Sequence, residues 1–196
     1  MDELKARKTT RLKGADYNRS GVVFLTICTK DRRCILSRIV GTGVLDGPRN
    51  ESAKHERIVG TGVLDGPQVE LTKYGRIAEK YIRQLNDFYE ELSVENYVIM
   101  PNHIHLLLWV KGNENGASMT SVTDGPSGTP VPTVQNSIPS RFVSTFKRFC
   151  NKEYGENIWQ YRSNDHIIRN LQDYDEHLRY IYENPMHWRY DELYTE

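Results

Sequence analysis

YVIMPNHIHLLLWV, residues 97–110, reads as two strands meeting at one tight turn. ENYVIM (95–100) and HIHLLLWV (103–110) are built of β-branched, aromatic and aliphatic residues. Pro101-Asn102 between them is turn chemistry, because proline presets its own φ and asparagine bonds its own backbone. The pattern predicts an antiparallel hairpin. Side chains alternate faces along a strand, so His103 and His105 project together from one face while Ile104 goes to the core. Two imidazoles at this spacing suit one shared metal ion, although an HxH pair on a solvent-facing strand is also ordinary polar surface. Here the pair opens a very hydrophobic strand, where polar side chains need a reason.

Working outward, GVVFLTIC (21–28) is a further, largely buried strand. From Leu71 the apolar period becomes helical: Tyr74, Ile77, Ala78, Tyr81, Ile82, Leu85, Phe88 and Tyr89 form one stripe, opposite Lys73, Arg76, Lys80 and Arg83. A second helix is predicted at about 140–152, with Phe142, Val143, Phe146, Phe149 and Cys150 inward. A third is predicted at about 171–184, with Asn170 as N-cap, Leu171, Tyr174, Leu178 and Ile181 as the core stripe, and Pro185 as the stop. These elements predict an α+β fold with an antiparallel sheet on one side and covering helices on the other.

Two segments interrupt this pattern. Residues 38–48 and 57–67 are the identical string RIVGTGVLDGP, which reads as a duplicated Gly-rich turn; its GTG lacks the rest of any phosphate-binding loop. Residues 112–137 are rich in Gly, Ser, Thr, Asn and Pro, the composition of a flexible insert. At 196 residues the expectation is one domain, 1–196, carrying both inserts.

Lys plus Arg and Asp plus Glu number 26 each, so no global basic field announces a nucleic-acid partner and any such charge is local. KARKTTRLK (5–13) is one local basic cluster. Cys28, Cys34 and Cys150 have neither CxxC spacing nor zinc-finger partners, which argues against a disulfide scaffold and for a reduced, cytoplasmic setting. The longest apolar run, LLLWV (106–110), is too short to span a bilayer.

The third predicted helix leaves His177, Tyr180 and Asn184 on a face apart from its core stripe. In a chain with 12 tyrosines, one on a helix flank is ordinarily packing with its hydroxyl in water. Three motifs change that weighting. YVIMPNHIHLLLWV, WQYRSNDHIIRN (159–170) and YIYENP (180–185) resemble, in order, the strand pair, the WQ…(D/E)HIIR segment and the YIxxNP helix end of the HUH single-tyrosine transposases, and among them the REP-associated tyrosine transposases. The resemblance runs from about Tyr17 to Trp188. Ser163-Asn164 departs from it, standing where relatives tend to have an aromatic residue or His.

The resemblance implies the ferredoxin-like or RRM-like palm of HUH endonucleases. It also implies a metal site of His103, His105 and Asn184 for Mg²⁺ or Mn²⁺, and Tyr180 as the nucleophile that forms a 5′-phosphotyrosine intermediate with single-stranded or hairpin DNA. The spacing agrees with that transfer, since Tyr180 and Asn184 are four apart and share one helix face. DNA contacts are expected from Arg11, Lys13, Arg141, Lys147, Arg148, Arg162, His166 and Arg169. The function implied is that of a metal-dependent endonuclease and strand transferase, acting as monomer or homodimer with no membrane partner. Two alternatives stand beside it. One is a domesticated hairpin-DNA-binding protein of the same fold that cleaves weakly. The other is a metal hydrolase unrelated to DNA, which lacks a third His or carboxylate nearby in sequence.

Overall fold

The computed structural model describes residues 19–41, 67–112 and 137–195. Arg11 and Lys13, most of the duplicated segment and most of the predicted insert lie outside the described residues. The sheet is formed by β1 (Gly21–Cys28), β4 (Leu92–Ile99), β5 (His103–Val110) and β6 (Asn164–Ile167) in the order β4-β5-β1-β6, with every neighbouring pair antiparallel. Between β1 and β4 come a two-stranded ribbon of β2 (Ser37–Val40) and β3 (Gln68–Leu71), the helix α1 (Lys73–Arg83) and the short helix α2 (Leu85–Phe88). Helix α3 (Ile138–Tyr154) joins β5 to β6, and α4 (Leu171–His187) follows β6. Without the ribbon this is the β-α-β-β-α-β order of a ferredoxin-like fold, as expected of an α+β chain.

The predicted hairpin is present, closed across Pro101-Asn102 by the Met100 N–H donating to the His103 carbonyl at 2.8 Å. Its two strands stay in register except at a bulge between Val94 and Asn96. Strand β1 lies on the other side of β5, pairing Cys28 with His103 and Thr26 with His105.

The sheet is covered on both faces, not one. Val23, Leu25 and Ile27 of β1 and Ile104, Leu106, Leu108 and Val110 of β5 pack against Ala78 and Ile82 of α1 and Phe142, Val143, Phe146 and Cys150 of α3. On the opposite face, Phe24, Val98, Met100 and Leu107 meet Ile181, Tyr174 and Leu178 of α4. Central strands buried on both faces read as near-continuous apolar runs, which is why LLLWV and GVVFLTIC show so little alternation. Each fully buried Leu or Ile contributes roughly 1.5–3 kcal/mol relative to exposure.

Several element details depart from the sequence reading. The Phe149 ring is half-buried and stacks on Tyr81 at 5.6 Å, joining α3 to α1 at their edge. Phe88 is largely exposed, and Tyr89 falls just beyond α2. In α4, Leu171 is 75% exposed and not part of the packed stripe, because the first residue after the Asn170 cap lies beyond the sheet's edge. Pro185 sits inside α4 and does not end it; losing one N–H so near the C-terminus leaves enough neighbouring bonds for the turn to close at His187. The strand β6 was not foreseen from NDHI, which has no apolar alternation.

Helix α1 starts where Thr72 caps it, its hydroxyl oxygen accepting from the Tyr74 and Gly75 N–H groups. The Leu36 carbonyl accepts from both the Thr72 N–H, at 3.0 Å, and its hydroxyl, at 2.9 Å, which pulls that carbonyl directly over Gly75. A Cβ at position 75 would collide with backbone there. Gly75→Ala is therefore expected to destabilise the fold by about 1–3 kcal/mol or more, read as a fall in thermal midpoint, despite alanine's higher helix propensity.

The duplication generates a second expectation. Arg38-Ile39-Val40 of the first copy form most of β2. Deleting residues 38–56 joins Ser37 to Arg57-Ile58-Val59, which restores the same local sequence before β3. The shorter connection changes closure entropy by only about 0.6 kcal/mol per halving, so the thermal midpoint should shift by no more than a few degrees. An unfolded deletion protein would place the repeat in the core.

Candidate active site

The face of β5 turned toward α4 begins with His103 and His105, both buried. Each ring has one nitrogen pinned by a neighbour. His103 Nδ1 lies 2.8 Å from Asn102 Oδ1, within the hairpin turn. His105 Nδ1 lies 3.0 Å from Thr26 Oγ1, its cross-strand partner on β1. Both Nε2 atoms are buried and have no hydrogen-bond partner, and Asn184 Oδ1 on α4 is in the same condition. Buried acceptors left unpaired are costly and rare in folded proteins, and here three belong to one cluster.

Packing sets the geometry. The two imidazoles are 4.4 Å apart between ring centroids, His105 stacks on Phe24 at 5.0 Å, and Tyr180 meets His105 edge-on at 5.1 Å. Burial lowers the His103 pKa to about 4 and drives that of His105 well below the ordinary imidazole value, with the neighbouring imidazoles His103 and His177 pushing His105 further. Both rings are therefore neutral at physiological pH, the form that binds metals.

Tyr180 and Asn184 face the cleft from one side of α4, as their spacing requires, and the segment after the helix closes over them. Asp191 Oδ2 accepts from the Tyr180 hydroxyl and from Asn184 Nδ2, each at 2.9 Å. Partial burial, followed by this carboxylate, raises the Tyr180 pKa above that of a free phenol. Asp191 also lies close enough to His103 and His105 for the three to ligate one ion. The sequence reading missed it, since one acid in a polar C-terminal stretch carries no periodic signal. His105, Tyr180, Asn184 and Asp191 line a cleft of about 680 Å³ that also includes Phe24, Thr26, His177 and Asn164.

His177 has a separate bonding pattern. Its Nδ1 donates to the Asp173 carbonyl at 2.8 Å, and its ring stacks on His166 at 4.7 Å; His166 Nε2 is 3.0 Å from both Asp173 carboxylate oxygens. This group also has ligand-like spacing, but one nitrogen of each ring is bonded to Asp173 and none of its side-chain atoms is buried without a partner, unlike the first.

No protein-family model matches the chain. An uncharacterized protein of Haemophilus influenzae is 26% identical over 195 residues, which is 97% of this chain and 94% of the relative. A REP-associated tyrosine transposase of Escherichia coli K12 is 29% identical over 94 residues, covering 48% of this chain and 44% of that protein. A putative REP-associated tyrosine transposase of H. influenzae is 28% identical over 127 residues, covering 58% of this chain and 64% of its own length. The chain thus matches less than two thirds of either named relative. Among solved structures, a REP-associated tyrosine transposase bound to a REP hairpin shares the fold, with a TM-score of 0.52 over 97% of this chain and 76% of that one, at 19% identity. The chain thus resembles REP-associated tyrosine transposases in part of its sequence and in its fold.

In this transposase-like chain the residues expected to contact DNA are scattered. Arg141 and Arg148 lie on α3, across the sheet from the cleft; Arg141 pairs with Glu91 at 3.1 Å and Arg148 lies over the Phe149 ring. The Lys147 ammonium is bonded to backbone carbonyls of residues 160–162. His166 lies on β6 and stacks on His177 of α4, while Arg162 and Arg169 lie beside the strand at either end.

The residues present fit a divalent cation: two neutral imidazoles with free Nε2 atoms, one amide oxygen and one carboxylate, each ring pinned from behind. Calorimetric titration of Mn²⁺ into the DNA-free chain should show one site. Thr26→Val, which unpins His105, should weaken it about 10- to 100-fold, and His105→Ala should weaken it further. Equal affinity in all three proteins would remove the metal site.

Proposed function

We propose that the chain is a metal-dependent single-stranded-DNA endonuclease and strand transferase in which Tyr180 is the nucleophile and His103, His105 and Asn184, joined by Asp191, hold the ion. The observation that carries this reading is the cluster of three buried, partnerless acceptors beside a tyrosine hydroxyl: His103 Nε2, His105 Nε2 and Asn184 Oδ1. A cation held there would polarise a scissile phosphate and offset charge developing on its oxygens. The named relatives are transposases, and the solved neighbour is bound to a hairpin, which supports hairpin-forming DNA as the substrate.

The chain's own groups perform the remaining tasks. Phe24 and His105 hold the Tyr180 ring from the sheet side, so the phenol's position is set before DNA arrives. The Tyr180 hydroxyl donates a hydrogen bond to Asp191, which keeps the phenol protonated and occupied. Drawing the Asp191 carboxylate toward the imidazoles removes the anion that raises the phenol's pKa, and so favours the phenolate. Attack by Tyr180 Oη on phosphorus forms a 5′-phosphotyrosyl bond and expels the 3′-oxygen, which leaves as a free hydroxyl after taking up a proton. The covalent bond conserves the phosphodiester's free energy, so a second 3′-hydroxyl reverses the step without ATP.

The Tyr180–Asp191 hydrogen bond also favours a second reading, a hairpin-binding protein of this fold that cleaves weakly. Hairpin DNA with Mn²⁺ separates the two, because cleavage leaves a protein–DNA adduct that survives denaturing electrophoresis. Tyr180→Phe removes one oxygen and little packing, so it should abolish the adduct while hairpin affinity stays within a few-fold. An adduct formed by the Phe variant would assign the nucleophile to another tyrosine; wild-type binding without any adduct would favour the second reading.

A further inference from the structure

Tyr161 is 95% exposed, yet the backbone on either side of it is hydrogen-bonded to the rest of the fold. Before it, Ile158 and Trp159 are buried; the Ile158 carbonyl accepts from the Lys30 N–H at 2.7 Å, and the Gln160 N–H donates to the Cys28 carbonyl at 2.9 Å. After it, Asn164 pairs with Thr26 as β6 begins. Two positions along β1, from Cys28 to Thr26, are thus matched by four along the incoming segment, from Gln160 to Asn164. Residues 161–163 must therefore bow out from the sheet's edge.

Lys147 holds that bow open. Its ammonium, reaching from α3, donates to the carbonyls of Gln160 at 2.7 Å and of Tyr161 and Arg162 at 3.4 Å each. One cation bonded to three successive carbonyls fixes the loop and turns the side chains of Tyr161 and Arg162 outward. Burial lowers the pKa of this lysine to about 8, consistent with an internal strut. The bow leads directly into Asn164, which lines the Tyr180 cleft.

We propose that this bow is a nucleobase platform: Tyr161 stacks one unpaired base of a DNA strand running into the Tyr180 cleft, and Arg162 contacts the adjoining phosphate. The inference rests on the reading of the cleft as a single-strand-processing site. A flat, solvated aromatic ring on a rigid backbone, beside an exposed arginine, is the combination that binds single strands independently of sequence. Duplex DNA keeps its bases stacked internally and offers none to the ring.

The test is fluorescence-anisotropy titration of the full chain with labelled oligo-dT of about 12 nucleotides and with a fully paired duplex of equal length. Tyr161→Ala should weaken oligo-dT binding about 5- to 150-fold and leave duplex affinity unchanged. Tyr161→Trp should restore oligo-dT affinity, with its added indole emission quenched by the bound strand. Lys147→Met, which keeps the ring but frees the loop, should give an intermediate loss. Oligo-dT affinity within twofold of wild type in Tyr161→Ala, equal losses on oligo-dT and duplex, or no oligo-dT binding by the wild type would each overturn the platform. Tyr161-dependent strand binding by a wild type that forms no covalent adduct would leave the platform standing and remove the cleavage reading.

Discussion

Strand β5 lies between β4 and β1 and is packed on both faces, yet its first turn toward α4 carries two imidazoles. That placement constrains the whole site. A ring buried this deeply must be neutral, and each of its nitrogens needs a partner or costs free energy. Asn102 and Thr26 satisfy the two Nδ1 atoms. The Nε2 atoms are left without partners, and Asn184 of α4 contributes a third unpaired acceptor. The turn, the neighbouring strand and the helix are each fitted to two side chains two residues apart.

The two sheet faces have different work. The face under α1 and α3 is a continuous aliphatic and aromatic core. The face under α4 is apolar around Leu107, Met100 and Ile181 but polar where α4 crosses the start of β5. A helix laid across that boundary is anchored by its apolar flank, while Tyr180 and Asn184 remain over the histidines. Positioning the phenol thus costs little beyond the packing that α4 needs in any case.

Charge is handled locally, as the balanced composition requires. Asp191, from the segment after α4, adds a carboxylate to a cluster otherwise made of neutral imidazoles and an amide. Several basic residues are already engaged within the protein: Arg141 faces Glu91, Arg148 covers Phe149, and Lys147 braces residues 160–162.

Local sequence determined what short-range geometry can express. The Pro101-Asn102 turn, the common face of His103 and His105, the Asn170 cap, and the shared helix face of Tyr180 and Asn184 all follow from periods of 2 and 3.6 residues and from turn chemistry. The three ordered motifs carried the family resemblance on the same basis. Long-range packing decided the rest. NDHI becomes β6 because β1 offers it a free edge, not because its residues alternate. Leu171 is exposed and Pro185 is carried inside α4 because the sheet ends short of the first and the helix continues past the second. Asp191 reaches the histidines, and Lys147 reaches the 160–162 carbonyls, only once distant segments are folded together. Periodicity records which way a side chain leaves its own backbone; it carries no information about what another segment brings to meet it.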